Sequence, residues 1–494
     1  MDSSSVEGVV LVGGFAVAAL IAVGALMMML RWVNEWWYVR RPGAIPAGLK
    51  LPPGSMGWPV IGDNLSFVRL FKRDPEHFIQ QHFLSRTKGH DDGIYKAHLF
   101  GHPCIITCSP DMNKFVLGGS QTDGQANFTV GWPTGELMGP TSMIMVEGLQ
   151  HKRMRKLLLE AITHPSALRK TLTRLEKRIR VTLAQWAQEK NICLREKIKE
   201  VTFGDICDAF LSLGSGPLSK KMMEDTQGLV QGVRAYPIKI PGFTYYHSLK
   251  CRKSLMESCY SIVKHRRLAG MKGEVEDFLD VLLKAKDEEG NGLSDTEICD
   301  NLVSFLIGGH ESTTYAMLWT MILLAKNPKV MSKLREEHNM LKAESKGNLI
   351  DELKKATYTD AVLNEVLRVV NIAFSVFRTV ARDDVNYKGY YFPKDWKVIS
   401  WLRAPHMDPS IYADPLSFNP DRFLDKTPRL GQFMPFGHGP RLCPGNILAL
   451  SSARLFIHIS VTNYKWNLVN PNEEVKYLPH PKPIDGGKVV FEPL

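Results

Sequence analysis

Phe436-Gly437-His438-Gly439-Pro440-Arg441-Leu442-Cys443-Pro444-Gly445 is the segment that decides how this chain is read. Its glycines permit a tight loop and its prolines fix φ, so one cysteine sulfur is presented where it can face a metal. The plainer alternative is a buried free cysteine in a Gly/Pro turn, behaving as a small hydrophobe. What stands around the loop decides between the two.

Upstream, Glu365-Val-Leu-Arg368 and Phe418-Asn-Pro420-Asp-Arg422-Phe423 precede the loop in that order. Glu365 and Arg368 are three apart and share one helix face, where Arg422 completes a charged triad bracing the cysteine loop. Alone, Glu-x-x-Arg is common on solvated helices. A long central helix is expected from Ser294 to Lys326: Ser294 and Glu297 form a capping box, and Leu302, Phe305, Leu306 and Gly309 recur at helical spacing. Inside it, Gly308-Gly309-His310-Glu311-Ser312-Thr313 carries two glycines, each costing about 1 kcal/mol relative to alanine in a helix interior. Close approach to a flat cofactor, with room for O2, offsets that cost; otherwise the helix is simply poorly packed. Gly148-Leu-Gln-His151-Lys-Arg-Met-Arg155-Lys156 reads by itself as a solvated basic helix. Strand character shows at Val398 to Trp401, beyond the Pro393-Lys394-Asp395 turn.

Taken together, these strings resemble the cytochrome P450 family. Every fixed position of its F-x-x-G-x-R-x-C-x-G haem loop is present, from Phe436 through Arg441 and Cys443 to Gly445. The resemblance implies a mainly α fold with small β-sheets and haem b held by Cys443 as axial thiolate. A thiolate pushes electron density onto iron and favours O–O cleavage. It implies that Arg441 pairs with a haem propionate, as do His151, where many relatives carry Trp, and Arg155; Arg378 is a further propionate candidate. Glu365, Arg368 and Arg422 take the structural role. Glu311 matches the family's acid and Ser312 stands at the alcohol position, usually Thr, with Thr313 next; these organise water and protons for splitting O2.

Before the body comes a membrane signal. Gly8 to Leu30 contains no charged residue, long enough for a helix to cross the hydrocarbon layer. A cleaved signal peptide is the rival, but the run is long for one, no basic residue precedes it and no clear small-x-small cleavage site ends it. Asp2 and Glu7 precede the run while Arg31, Arg40, Arg41 and Lys50 follow, which leaves the body cytosolic, with Trp32, Trp36, Trp37 and Tyr38 at the interface. Pro42, Pro46, Pro52, Pro53, Gly54 and Pro59 then forbid a continuous helix. The expected division is an anchor over 1–31, an aromatic and proline-rich hinge over 32–59, and a haem-thiolate catalytic domain over 60–494. The 44% hydrophobic and 23% charged content is that of a packed enzyme, not a disordered or fibrous chain. The net charge of +11 is dispersed, without a nucleic-acid recognition module, and suits an acidic protein partner or an anionic membrane. Eight scattered cysteines indicate free thiols in a reducing compartment, where the sequons at Asn64 and Asn127 go unglycosylated.

A narrower likeness rests on Gly232-Val-Arg-Ala235, Ile240-Pro-Gly-Phe243, Asn371-Ile-Ala-Phe374-Ser-Val-Phe-Arg378, Val385-Asn386 and His406-Met-Asp408, which are similar to plant ent-kaurenoic acid oxidases and their triterpenoid-oxidising relatives. It implies a single-pass endoplasmic-reticulum enzyme oxidising a lipophilic polycyclic terpenoid in several steps, as in gibberellin biosynthesis. Electrons come from NADPH through NADPH-cytochrome P450 reductase, since this chain shows no flavin or dinucleotide fold of its own. The stretch Asn127 to Lys170, including Glu160-Ala-Ile-Thr-His-Pro165, departs from that group. Phe305, Leu306, Phe374 and Ile484 are pocket candidates, with core packing as the alternative. The competing functions are a β-amyrin-type triterpenoid oxidase, a haem isomerase that uses no O2, and a haem- or lipid-binding membrane protein without turnover.

Overall fold

The computed structural model describes residues 3–494 apart from 41–44, 60, 72–74, 76–77, 80–91, 120, 123–124, 132–134, 215, 234, 271–274, 345–348, 426–427 and 479. Asp2, Arg41, Pro42 and Arg234, which belong to the sequence patterns above, lie outside the described residues.

One helix organises the molecule. Asp295–Lys326 begins where expected: Glu297 N donates to Ser294 Oγ at 3.2 Å, and Ser294 N donates to Glu297 Oε2 at 2.8 Å, closing the capping box. Its first half, from Ile298 to Leu306, is buried against the helices Leu194–Leu211 and Thr244–Ala269. Its last turns, from Tyr315 to Leu324, are buried in a second core with Thr357–Val370 and Asn446–Asn463. The join between the two cores falls at Gly308 to Thr314, so the glycine-rich centre of the helix lies where packing changes partners.

The sheets are small and peripheral. The largest has five strands in the order Ile94–Leu99, His102–Thr107, Lys397–Trp401, Ser375–Val380 and Phe128–Val130. Lys397–Ser400 pairs with Cys104–Thr107 in parallel, and the other three strand pairings of this sheet are antiparallel. Tyr464–Leu468, Lys488–Pro493 and Asn191–Cys193 form a second sheet, which ties the chain's end to its middle. The fold is thus mainly helical with small sheets.

At the start of the chain, a helix runs from Ser3 to Glu35, past residue 31, and continues as a wider turn over Trp36–Arg40. Its end is fastened to the body. Asn34 Nδ2 donates to the Met56 and Trp58 carbonyls at 2.5 and 3.3 Å, and Glu35 Oε1 pairs with Lys96 Nζ at 2.6 Å. Trp32, Trp36 and Trp37 are exposed, whereas Tyr38 turns inward and packs 5.1 Å from the His98 ring. All eight cysteines are free.

Several histidines are built in as neutral groups. Burial holds His310 and His458 at about 4 and His338 and His406 at about 3, each below the ordinary 6.5. Their hydrogen bonds suit uncharged rings: His310 Nδ1 lies 3.1 Å from Thr202 Oγ1, and His406 Nε2 accepts from Met434 N at 3.0 Å. As pH falls below 6.5 the unfolded chain gains protons that these rings refuse, at about 1.4 kcal/mol per unit for each ring, until the folded values are reached. Stability is therefore expected to fall steadily from pH 6.5 toward 4. Urea midpoints at pH 7 and pH 5 check this, and equal midpoints would contradict it.

Candidate active site

The Cys443 loop is shaped by backbone that only glycine tolerates. Gly437 and Gly439 have φ of +78° and +72°, and a Cβ on Gly439 would meet Leu117 O at 2.1 Å. Cys443 N donates to Phe436 O at 3.0 Å and Leu442 N to Gly439 O at 3.0 Å, which closes the loop on itself. Gly445 then caps the Asn446–Asn463 helix, placing the sulfur just ahead of a helix N-terminus. Burial pushes the Cys443 thiol up, while the Gly445 N–H and the Arg155 charge pull the other way. A metal would settle that balance by taking the sulfur as thiolate.

One face of the central helix is open. Gly308 and Ser312, one turn apart, are exposed although His310, Thr313 and Thr314 between and beyond them are buried. A Cβ on Gly308 would meet nothing within 4 Å. Gly309 has a different purpose: its Cβ would come within 2.6 Å of Ile206 Cδ1, so it lets the Leu194–Leu211 helix pack closely. Of the two glycines, then, one faces the opening and one the core. Gly308→Ala is expected to stabilise the fold by about 1 kcal/mol through helix propensity, whereas Gly309→Ala should cost about 1–3 kcal/mol by overpacking. Denaturant midpoints of the two variants measure the contrast. Ser312 Oγ donates back to Gly308 O at 2.7 Å, keeping its hydroxyl on the open face. Glu311 is half-buried with Oε2 3.7 Å from His480 Nε2, and Thr313 is turned into the protein.

Around the cysteine loop the chain assembles positive charge. His151 and Arg155 come from the Gly148–Ile162 helix, Arg378 from strand Ser375–Val380 and Arg441 from the loop. Burial and then the Arg441, Arg155 and Arg378 charges hold His151 down at about 4, and burial with the Arg441 charge brings Arg378 to about 10. Glu147 partly offsets the charge on Arg378 and Arg441. Arg155 Nη1 donates to Leu442 O at 2.9 Å. Arg441 does more than await an anion: Nη1 donates to Met143 O and Ile144 O, both at 3.0 Å, and Nη2 to Val146 O at 2.6 Å. It clamps the segment before the basic helix onto the loop. A partly buried cluster of three guanidiniums with one nearby carboxylate is costly unless a further anion joins it. A planar group bearing two carboxylates for these cations and a metal for the Cys443 sulfur would fit this donor set. Haem is such a group.

Behind the loop, Glu365 and Arg368 are both fully buried and paired twice, Arg368 Nε to Oε2 at 2.7 Å and Nη2 to Oε1 at 2.8 Å. Arg422 Nε and Asn419 N reach Glu365 Oε1 at 3.0 and 2.9 Å. Arg368 Nη1 donates onward to the carbonyls of His406 and Pro415, each at 2.8 Å, so one carboxylate gathers the segment leading to the cysteine loop.

Comparison with known proteins agrees with this geometry. The family model for cytochrome P450 matches residues 52–484. This chain belongs to the cytochrome P450 family. It is a P450 monooxygenase, and haem iron with O2 is its chemistry. Ent-kaurenoic acid oxidase 2 of Arabidopsis thaliana is 37% identical, covering 94% of this chain and 95% of that protein. Beta-amyrin 11-oxidase of Glycyrrhiza uralensis is 38% identical over 92% of this chain and 93% of its own length. Among solved structures, retinoic acid bound cyanobacterial CYP120A1 superposes with a TM-score of 0.80 at 28% identity, covering 90% of this chain and all of that one.

Within this P450, some site features carry no sequence signal. Asn301 Oδ1 accepts from Met143 N at 2.8 Å, Ser304 Oγ donates to Met138 O at 3.0 Å, and Asp300 accepts from Thr141 N at 3.1 Å. This polar stripe holds the 138–143 segment against the central helix, while Arg441 takes the Met143, Ile144 and Val146 carbonyls. Of the pocket candidates, Leu306 is fully buried in the core and so belongs to packing. Phe305 stacks on Phe210 at 4.9 Å, and Phe374 sits among Phe71 and Trp401 at 4.7 and 5.2 Å. Ile484 is 56% exposed.

Proposed function

We propose that this P450 is anchored in the endoplasmic-reticulum membrane by its N-terminal helix and oxidises a polycyclic plant terpenoid, ent-kaurenoic acid before others, with electrons from NADPH-cytochrome P450 reductase. The observation that carries the haem assignment is the set of His151, Arg155, Arg378 and Arg441 gathered about the Cys443 loop, a donor set made for two carboxylates. In this reading Cys443 is the metal ligand, with Phe436 and Gly445 shaping its loop. The terpenoid assignment draws on relatives whose names include ent-kaurenoic acid oxidase and beta-amyrin 11-oxidase. Their near-equal identities make a β-amyrin-type triterpenoid the second reading.

When bound, the haem supplies reductive activation of O2 and insertion of one oxygen atom into a C–H bond. The chain's own part would be to hold the propionates with its cations and to deliver protons from the central helix, whose face is open at Gly308. Ser312 presents its hydroxyl on that face, and Glu311, adjacent in sequence, supplies the proton. Thr313, turned inward, supports the helix. The cytosolic body follows from basic residues after the anchor, and Lys152 stays exposed for an acidic partner while Arg153 and Lys156 are paired with Asp287 and Glu288.

Ser312→Ala is expected to retain haem but to release peroxide in place of product. Product formed per NADPH consumed measures it, and coupling equal to wild type would count against the role of the hydroxyl. Expression with a plant reductase and mass-spectrometric screening of ent-kaurenoic acid beside β-amyrin tests the substrate. No product from either sinks the terpenoid reading; product without any reductase would instead support an isomerase.

A further inference from the structure

Glu311 meets a histidine from the far end of the chain. His480 Nδ1 lies 2.9 Å from Ile372 O, and because a carbonyl only accepts, Nδ1 carries the hydrogen and Nε2 is left to face Glu311 Oε2 at 3.7 Å. The ring is held on its other side as well. Tyr315, one helical turn beyond Glu311, packs 5.2 Å from the imidazole, and Trp319, a further turn on, donates Nε1 to Pro481 O at 2.7 Å. The 480–481 segment is thus fastened to the central helix at two successive turns. Glu311 and His480 side chains keep 22% and 23% of their surface, so the pair is neither sealed in the core nor free in water.

We propose that His480 is a positioning residue for oxygenation: it orients the Glu311 carboxylate and returns to it each proton that Glu311 passes toward Ser312. This rests on the proton-delivery reading of Glu311 given above. In the returning step the His480 Nε2–H bond breaks as a Glu311 Oε2–H bond forms. The imidazolium becomes neutral imidazole, its Nδ1–H still donated to Ile372 O, and a hydronium ion from solvent returns a proton to Nε2 and leaves as water. At 3.7 Å the pair is at ion-pair distance, so it closes, or admits one water, before the proton moves. Contacts of this kind commonly tighten once cofactor and substrate are bound. A part-exposed ion pair adds little to stability, which keeps variants folded and testable.

The test uses the full-length enzyme as wild type, Glu311→Gln, His480→Gln and the double variant. In protein labelled with ¹⁵N-histidine, the His480 signal, identified by its absence from His480→Gln, is expected to shift in Glu311→Gln; an unmoved signal overturns the contact and the proposal. With reductase and a turned-over substrate, His480→Gln should keep its haem-thiolate absorption, lose about tenfold in product per NADPH, the scale of a group acting through another, and show a larger solvent deuterium isotope effect. The double variant should couple no worse than Glu311→Gln alone. Full coupling in His480→Gln beside an uncoupled Glu311→Gln removes His480 from the pathway and leaves Glu311 in place. Full coupling in Glu311→Gln removes both.

Discussion

Glu365→Gln is expected to lose about 3–5 kcal/mol of stability, the scale on which breaking a buried ion network costs, out of a total near 5–15 kcal/mol. Glu365 and Arg368 are both fully buried, and the carboxylate accepts from Arg368 twice, from Arg422 and from the Asn419 N–H. Glutamine keeps the shape but removes the charge and turns an NH2 group toward donors, leaving two guanidiniums without their counter-ion. The loss should extend to the haem-side loop, because Arg368 also holds the His406 and Pro415 carbonyls and Tyr412 stacks 4.9 Å from its guanidinium. The denaturant midpoint and the haem-thiolate absorption should fall together. Arg422→Gln, which leaves the Glu365–Arg368 pair intact and removes one 3.0 Å contact to Glu365 together with donations to the Ala413 and Asp414 carbonyls, should cost less. An unchanged midpoint in Glu365→Gln would refute the bracing role.

What could be read from the sequence was mostly local. The capping box at Ser294 and Glu297 and the pairing of Glu365 with Arg368 each lie within one helical turn, where spacing alone dictates contact. The cysteine loop was legible because positive φ at Gly437 and Gly439 demands glycine. Contacts that join distant segments left no such trace. Which of Gly308 and Gly309 faces the opening depends on how the central helix is rotated against its neighbours, and a two-glycine string is silent on that. Leu306 and Phe305 look alike in a periodic pattern, yet Leu306 is sealed in the core. Arg441 was readable as a cation for an anionic group, but not as the clamp on the carbonyls of Met143, Ile144 and Val146, because backbone acceptors have no residue identity. His480 lies far along the chain from Glu311, so no local spacing announces that pair.

Cys443→Ser is expected to abolish the haem-thiolate absorption and bring turnover below detection while leaving the polypeptide folded. Serine is nearly isosteric, and the loop is closed by main-chain bonds such as Cys443 N to Phe436 O, which the side chain does not make. What serine lacks is a sulfur that can be held as an electron-rich thiolate, which is the reason this chemistry uses cysteine. The other buried cysteines supply the contrast. Burial pushes the Cys104, Cys207, Cys259 and Cys299 thiols up, Cys207 and Cys299 to about 12, and they pack as small apolar groups. Cys259→Ser should therefore cost about 1–3 kcal/mol, because a hydroxyl is buried without a partner, yet keep the haem-thiolate spectrum. Circular dichroism, denaturant midpoint and the absorption spectrum of both variants separate a ligand from a packing residue. If Cys443→Ser retained the wild-type spectrum, the iron would have to be held by some other group and the assignment of the loop would fail.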